Sequence, residues 1–75
     1  MSKAFCESRA AELAALKLSA DEMRSATTFE ELHSASLKAL NRLDGALRDN
    51  LLESAEGVEW SKQFEEIEAG RLAQL

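Results

Sequence analysis

The residues of this chain that could do nucleophilic chemistry are few. It contains one cysteine, Cys6, and one histidine, His33. A nucleophilic thiol or hydroxyl needs a base beside it and a third group that orients the base. Cys6 has no such partners close to it in the sequence, and no Gly-x-Ser-x-Gly motif occurs. We therefore expect no catalytic residues and a protein that is not an enzyme.

One short pattern is compatible with a metal. Glu30 and His33 have the i,i+3 spacing by which one helix of a di-metal bundle supplies two ligands. A homodimer would provide two copies, but the further carboxylates would have to come from Glu7 or Glu12, and neither falls on a clear apolar stripe. A dimeric di-metal carboxylate protein is therefore the third alternative, and we assign no metal ligand and no cofactor.

The charge is acidic and uneven. The net charge is −5 at pH 7. Between residues 53 and 68 the chain carries six glutamates and a single lysine, Lys62. Binding to nucleic acid requires clustered Lys and Arg, and no such cluster is present, so we expect no direct nucleic-acid contact. The acidic stretch is typical of a solvated helix face, and it could also complement a basic surface on another protein.

The composition predicts an all-α protein in the cytoplasm. Thirteen Ala, twelve Leu and eleven Glu stand against no Pro, three Gly and four β-branched residues, which excludes a β-sandwich or barrel. The apolar runs are far shorter than the ~20 residues of a membrane span, so no membrane insertion is expected. The N-terminal residues do not resemble a signal peptide, and a lone cysteine cannot form an intramolecular disulfide.

The clearest predicted helix begins after Thr28. Thr28 and Glu31 match a capping box, in which the hydroxyl and the carboxylate each accept a backbone N–H at the helix start. Apolar residues then recur at spacings of three and four. This pattern predicts a long central helix over about 29–54, with Gly57 as its C-terminal cap.

Asp44-Gly45 could interrupt this helix, because the pair also favours a turn. The apolar stripe decides between the two outcomes. Leu40 and Leu43 before the glycine share one helix face with Leu47 and Leu51 after it. We therefore predict a helix that continues through Gly45.

Two further helices are predicted, over about 2–25 and 58–74. Ser19 to Glu22 matches a second capping box and predicts a kink or a restart near residue 19. The predicted interaction residues are apolar residues on these two helices. They are Trp60, Phe64 and Ile67 on the third helix, and Phe5, Leu13 and Leu16 on the first. Trp in particular is enriched at binding hot spots, although the same spacing also suits a bundle core.

Short connections predict a small antiparallel bundle of three helices in one domain, residues 1–75. A chain of this length buries only about 60% of its surface on folding, which favours a homodimer or a larger protein partner. The favoured function is a non-enzymatic interaction module, an adaptor or inhibitor that docks on a larger protein. The alternative is an acidic, antitoxin-like mimic that occupies a nucleic-acid-binding surface of its target.

Overall fold

A computed structural model describes residues 3–75, which form a three-helix bundle. The helices are α1 (Lys3–Ser25), α2 (Phe29–Arg48) and α3 (Ser54–Leu72), and no strand occurs in these residues. The bundle measures 44 × 19 × 14 Å. The all-α architecture is thus confirmed. The predicted start of the first helix at residue 2 lies outside the described residues.

None of these helices, which together cover most of residues 3–75, combines the length and the apolarity that crossing a bilayer requires.

α1 is a single helix, so the kink or restart predicted near residue 19 does not occur. The Ser19 hydroxyl donates to the Ala15 carbonyl one turn earlier, at 3.1 Å, and does not cap a new helix. Leu16, Ala20 and Met23 are all buried, which keeps the apolar face of α1 in phase through this region.

The start of α2 follows the predicted capping pattern with one shift. The Thr28 hydroxyl accepts the backbone N–H of Glu31 at 3.1 Å. The Glu31 carboxylate accepts the N–H of Thr27, one residue earlier than in a standard box, and also the Thr27 hydroxyl. Thr28 thus satisfies an N–H group that the first helical turn leaves unpaired, and Glu31 binds the residue that precedes the cap.

The end of α2 differs from the prediction. The helix continues through Gly45 but ends at Arg48, not near residue 54. Asn50 adopts a left-handed conformation (φ 58°), which asparagine tolerates better than most residues. Leu51 N–H then donates to the Ala46 carbonyl at 3.0 Å, and Asn50 N–H donates to the Leu47 carbonyl at 3.2 Å. This is the Schellman pattern of a helix C-terminus.

Burial of Leu52 explains why the helix ends there. Helical residues turn by about 100° each, so a continued helix would place Leu52 opposite Leu43. The turn at Asn50 allows both leucines to be buried, at 6% and 4% exposure. α3 consequently begins at Ser54 rather than near residue 58.

Gly57 is not the cap of α2; it lies buried within α3. A Cβ at this position would lie 2.8 Å from a Leu47 methyl carbon. The glycine therefore allows α3 to approach α2 closely.

The core lies along the axis of the bundle and receives residues from all three helices. Its largest fully buried side chains are Leu16 and Met23 of α1, Leu32 of α2 and Phe64 of α3. Small residues of α2, Ala39 and Ala46 among them, are also buried where the helices meet. The core is thus narrow, as expected for 75 residues.

Gly45 of α2 and Gly57 of α3 give a first test of the packing. A Cβ at Gly45 would have no atom of a neighbouring element within 4 Å, whereas a Cβ at Gly57 would meet Leu47. We expect Gly45→Ala to raise the free energy of unfolding by about 1 kcal/mol, because alanine favours helix. We expect Gly57→Ala to be about 1 kcal/mol less stable than Gly45→Ala, because the methyl groups at the end of the Leu47 side chain must move. Urea denaturation measures both, and equal stability of the two variants would contradict the close approach.

Ser36 gives a second test. Its hydroxyl is buried in the core and has no hydrogen-bond partner. An unpaired buried hydroxyl is unfavourable, so we expect Ser36→Ala to raise the free energy of unfolding by about 1 kcal/mol. Ser34→Ala, on the exposed face of the same helix, controls for helix propensity. If Ser36→Ala raises the free energy of unfolding no more than Ser34→Ala does, the Ser36 hydroxyl has a hydrogen-bond partner in solution.

Candidate interaction surface

An arginine of α1 joins the three helices at one end of the bundle. Arg9 donates to both carboxylate oxygens of Glu56 on α3, at 2.9 and 2.5 Å. It also donates to the Leu51 carbonyl in the α2–α3 connection, at 2.9 Å. The fork geometry of the guanidinium suits this bidentate arrangement. α1 thereby fixes the start of α3 and the connection that precedes it.

The pair changes the acidity of Glu56. The hydrogen bonds from Arg9, followed by the N–H of Glu53 at 3.0 Å, lower the pKa of Glu56 from 4.5 to about 2. The same carboxylate raises the pKa of Arg9. Glu56 is therefore both the capping carboxylate of α3 and the partner of Arg9. It does not belong to a uniformly solvated acidic face.

A second arginine acts at the other end. Arg71 of α3 donates through Nε to the carbonyl of Ala26 in the α1–α2 connection, at 2.7 Å, and through a terminal nitrogen to Gln74, also at 2.7 Å. Each connection between two helices is thus held by an arginine from the third helix. Arg42 of α2 adds a longer pair with Glu12 of α1, at 3.4 Å.

These contacts are distributed unevenly around the bundle. Within residues 3–75, the ion pairs between helices join α1 to α3 and α1 to α2, and none joins α2 to α3. An open groove of about 1010 Å³ lies between α2 and α3 instead. Its apolar lining consists of Leu40, Leu43, Leu47, Leu52, Gly57 and Val58.

Two of these apolar side chains are strongly exposed. Leu40 is 44% exposed on the α2 side of the groove, and Val58 is 67% exposed on the α3 side. The floor between them is formed by Leu47, which is half-buried, and by Leu43 and Leu52 of the core. A continuous apolar strip therefore runs from the core to the solvent.

A second, smaller cavity lies toward the other end of the same two helices. It is lined by Phe29, Leu32 and His33 of α2 and by Glu68 and Leu72 of α3. We call the larger groove and this cavity together the α2–α3 face. Seven large apolar side chains of residues 3–75 are exposed. Four of them line this face: Phe29, Leu40, Val58 and Leu72.

The residues predicted from sequence to mediate interaction occupy other positions. Leu16 and Phe64 are in the core, with 0% and 2% exposure. Leu13, Trp60 and Ile67 are half-buried and pack against that core, and the Trp60 and Phe64 rings have centroids 5.7 Å apart. Phe5 is half-buried near the start of α1. The six residues therefore form mainly the inner side of α1 and α3.

The residues considered as catalytic or metal-binding candidates do not form a site in the structure. Cys6 and His33 are both exposed. No group of three or more His, Cys, Asp or Glu side chains that could hold a metal ion occurs within residues 3–75. Glu12 pairs with Arg42, and Glu7 lies 3.9 Å from Lys3, so the two carboxylates considered as further ligands are engaged elsewhere.

Comparison with known proteins gives no match: no family model matches the chain, and neither a curated protein nor a solved structure shows significant similarity to it.

Sequence reasoning did not identify Arg9 and Glu56 as partners or the α2–α3 face as an exposed surface. Arg9 interrupts an apolar face of the first helix, and Glu56 is one of six glutamates in its region. The available signal was the presence of Leu37 beside the main stripe of α2, together with Val58 in an otherwise charged segment. These two residues widen the apolar surface beyond what one helix interface covers.

The Arg9–Glu56 pair predicts a pH dependence of stability. The folded state lowers the pKa of Glu56 from 4.5 to about 2, so the unfolded state binds the proton more readily. The stabilisation by the pair is therefore complete above pH 4.5 and is lost as the pH falls toward 2. We expect Glu56→Gln to remove this part of the pH dependence, as measured by urea denaturation between these values.

Glu59→Gln is the matched control, because Glu59 is exposed on the same helix and makes the same change in charge. A pH profile of Glu56→Gln that coincides with that of Glu59→Gln would contradict the assignment. The carboxyl carbon shift of Glu56 in NMR spectra gives the pKa directly.

Proposed function

We propose that this chain is a non-enzymatic interaction module that docks on a protein partner through the α2–α3 face. The observation that carries the proposal is the concentration of exposed apolar side chains there. Isolated exposed apolar residues are ordinary, but a contiguous apolar strip with polar edges is typical of a binding surface. The absence of a paired nucleophile and base in the sequence favours docking over catalysis.

The position of the strip favours docking by this face over docking by Trp60 and Phe64. A side chain in the core can reach a partner only if the bundle opens, whereas Leu40 and Val58 are accessible as they are. Truncation of core residues would mainly unfold the protein. An adaptor or an inhibitor would both use such a surface.

The acidic, antitoxin-like mimic remains the second candidate, and the exposed glutamates of α3 are consistent with it. Glu59 and Glu66 are exposed on that helix, outside the lining of the groove. A mimic of this kind would bind mainly through charge, so its affinity would fall steeply with salt, and it would be insensitive to apolar substitutions in the groove.

Self-association is a separate prediction from the length of the chain. The accessible surface of 5088 Å² exceeds the ~4,600 Å² that scaling with mass gives, so the bundle exposes more surface than a typical monomer of its mass. We expect the melting temperature to rise with protein concentration if a homodimer forms. Light scattering at the monomer mass up to millimolar concentration would contradict this prediction.

An antiparallel order of successive helices is also expected from the short connections.

Site-directed photo-crosslinking in the native host tests the docking surface. p-Benzoylphenylalanine replaces Leu40 in one variant and Leu18 in another. Leu18 is a matched control, because it is 59% exposed and lines the groove between α1 and α2. We expect a discrete adduct with another protein from position 40 and none from position 18. We further expect Val58→Ser to reduce the adduct from position 40 at least about tenfold, because Val58 borders the same groove.

Adducts of equal yield from positions 18 and 40, or a yield that does not respond to Val58→Ser, would overturn the proposal. Retention of the α-helical circular dichroism spectrum and of the melting temperature shows that each variant is folded. A shift in these properties would be expected only if Val58, 67% exposed, were covered in solution.

A further inference from the structure

We propose that the element docked on the α2–α3 face is an amphipathic helix of a partner protein, with an apolar stripe flanked by Lys and Arg. This inference rests on the proposed function and specifies the chemistry of the partner. The bound helix would occupy the position of a fourth helix beside α2 and α3. Three observations carry it: the shape of the face, the position of its apolar residues and the charge at its edges.

The shape fits a helix. The face lies between two neighbouring helices, with the larger groove at one end and the Phe29–Leu72 cavity at the other. Along α2 it extends from Phe29 to Leu47, which at 1.5 Å per residue is about 27 Å. A partner helix of about 18 residues would cover this length. Side chains of such a helix pack as ridges into the groove between two others.

The apolar residues of the face are arranged to receive one stripe. Leu40 and Leu47 are two turns apart on α2, and Phe29 precedes Leu40 by three turns, so the three lie on the same flank. Val58 borders the same groove as Leu40 and Leu47 from α3, and Leu72 of α3 lines the cavity that contains Phe29. A ligand with apolar residues at i, i+3, i+4 and i+7 presents a matching stripe.

The charge at the edges selects a basic ligand. The charged residues that line the two cavities are Asp44, Glu53, Glu65 and Glu68 and one lysine, Lys62. Asp44 is paired with Arg48 at 2.6 Å. Glu53, Glu65 and Glu68 form no ion pair within residues 3–75. Lys and Arg beside the apolar stripe of a ligand would complement these carboxylates.

The same charges disfavour a second copy of this chain in the groove. A two-fold symmetric contact places the same patch of each copy against the other. Glu53 and Glu65 of one copy would then approach the equivalent acidic edge of its partner, and like charges across an interface are unfavourable. The groove between α1 and α2 is a weaker site, because its only strongly exposed large apolar residue is Leu18. Its charged lining residues also nearly balance: they are Glu12, Glu22 and Asp49 against Lys38 and Arg42.

Three synthetic peptides test the proposal on the full chain. They share one apolar stripe over about 18 residues, and their flanks carry Lys, Gln or Glu. Fluorescence anisotropy measures the affinity of each labelled peptide. We expect the Lys peptide to bind at least about tenfold more tightly than the Glu peptide, and to weaken as salt rises from about 0.05 to about 0.5 M. Leu40→Ser and Val58→Ser should each weaken it at least about tenfold, and Leu18→Ser should not.

The outcomes separate this inference from the proposed function. Equal affinity of all three peptides, lost in Leu40→Ser, would overturn the inference about charge and leave the docking surface intact. Binding of the Lys peptide that is unchanged in both Leu40→Ser and Val58→Ser would overturn the inference, as would no binding by any peptide. Photo-crosslinking from position 40 tests the docking surface separately. Analytical sedimentation of the protein alone tests the remaining occupant, a second copy of this chain. If the protein is a dimer and Leu40→Ser dissociates it, the face belongs to that second copy and the proposal is overturned.

Discussion

The structure depends on one geometric constraint: three short helices can bury only one stripe of each. α2 buries Leu32, Ala39 and Leu43 against its two neighbours. Its apolar surface is wider than that stripe, because Leu37 and Leu40 lie on an adjoining flank and are 50% and 44% exposed. A fourth element would be needed to cover that flank, and none is present among residues 3–75. The α2–α3 face exists because α1 and α3 do not cover this flank of α2.

The polar contacts determine which side of the bundle remains open. Arg9 and Arg71 each reach from one helix to the connection between the other two, and Arg9 also pairs with Glu56. These contacts fix α3 relative to α1 without adding to the core. α2 and α3 meet through apolar contacts and the close approach at Gly57. The open groove therefore lies on the side of the bundle where no ion pair within residues 3–75 joins the two helices.

Local signals predicted the start of α2 and its continuity, and non-local contacts determined the rest. The Thr28 cap and the phase of the leucines across Gly45 depend on residues within a few positions of each other. The end at Arg48 depends on burial of Leu52, which is visible only when α1 and α3 are in place. Arg9 and Glu56 are 47 residues apart, so no spacing rule connects them. Periodicity likewise selected Trp60 and Phe64 without distinguishing a core from a docking surface.

The exposure of the α2–α3 face in solution is the central claim, and methyl NMR with a soluble paramagnetic agent tests it most directly. Leu18, 59% exposed, gives the reference for an accessible methyl group, and Leu16, 0% exposed, gives the reference for a buried one. We predict that the methyl groups of Leu40 and Val58 relax nearly as fast as those of Leu18. Relaxation of Leu40 and Val58 as slow as that of Leu16 would mean that the face is already covered, and would contradict the central claim.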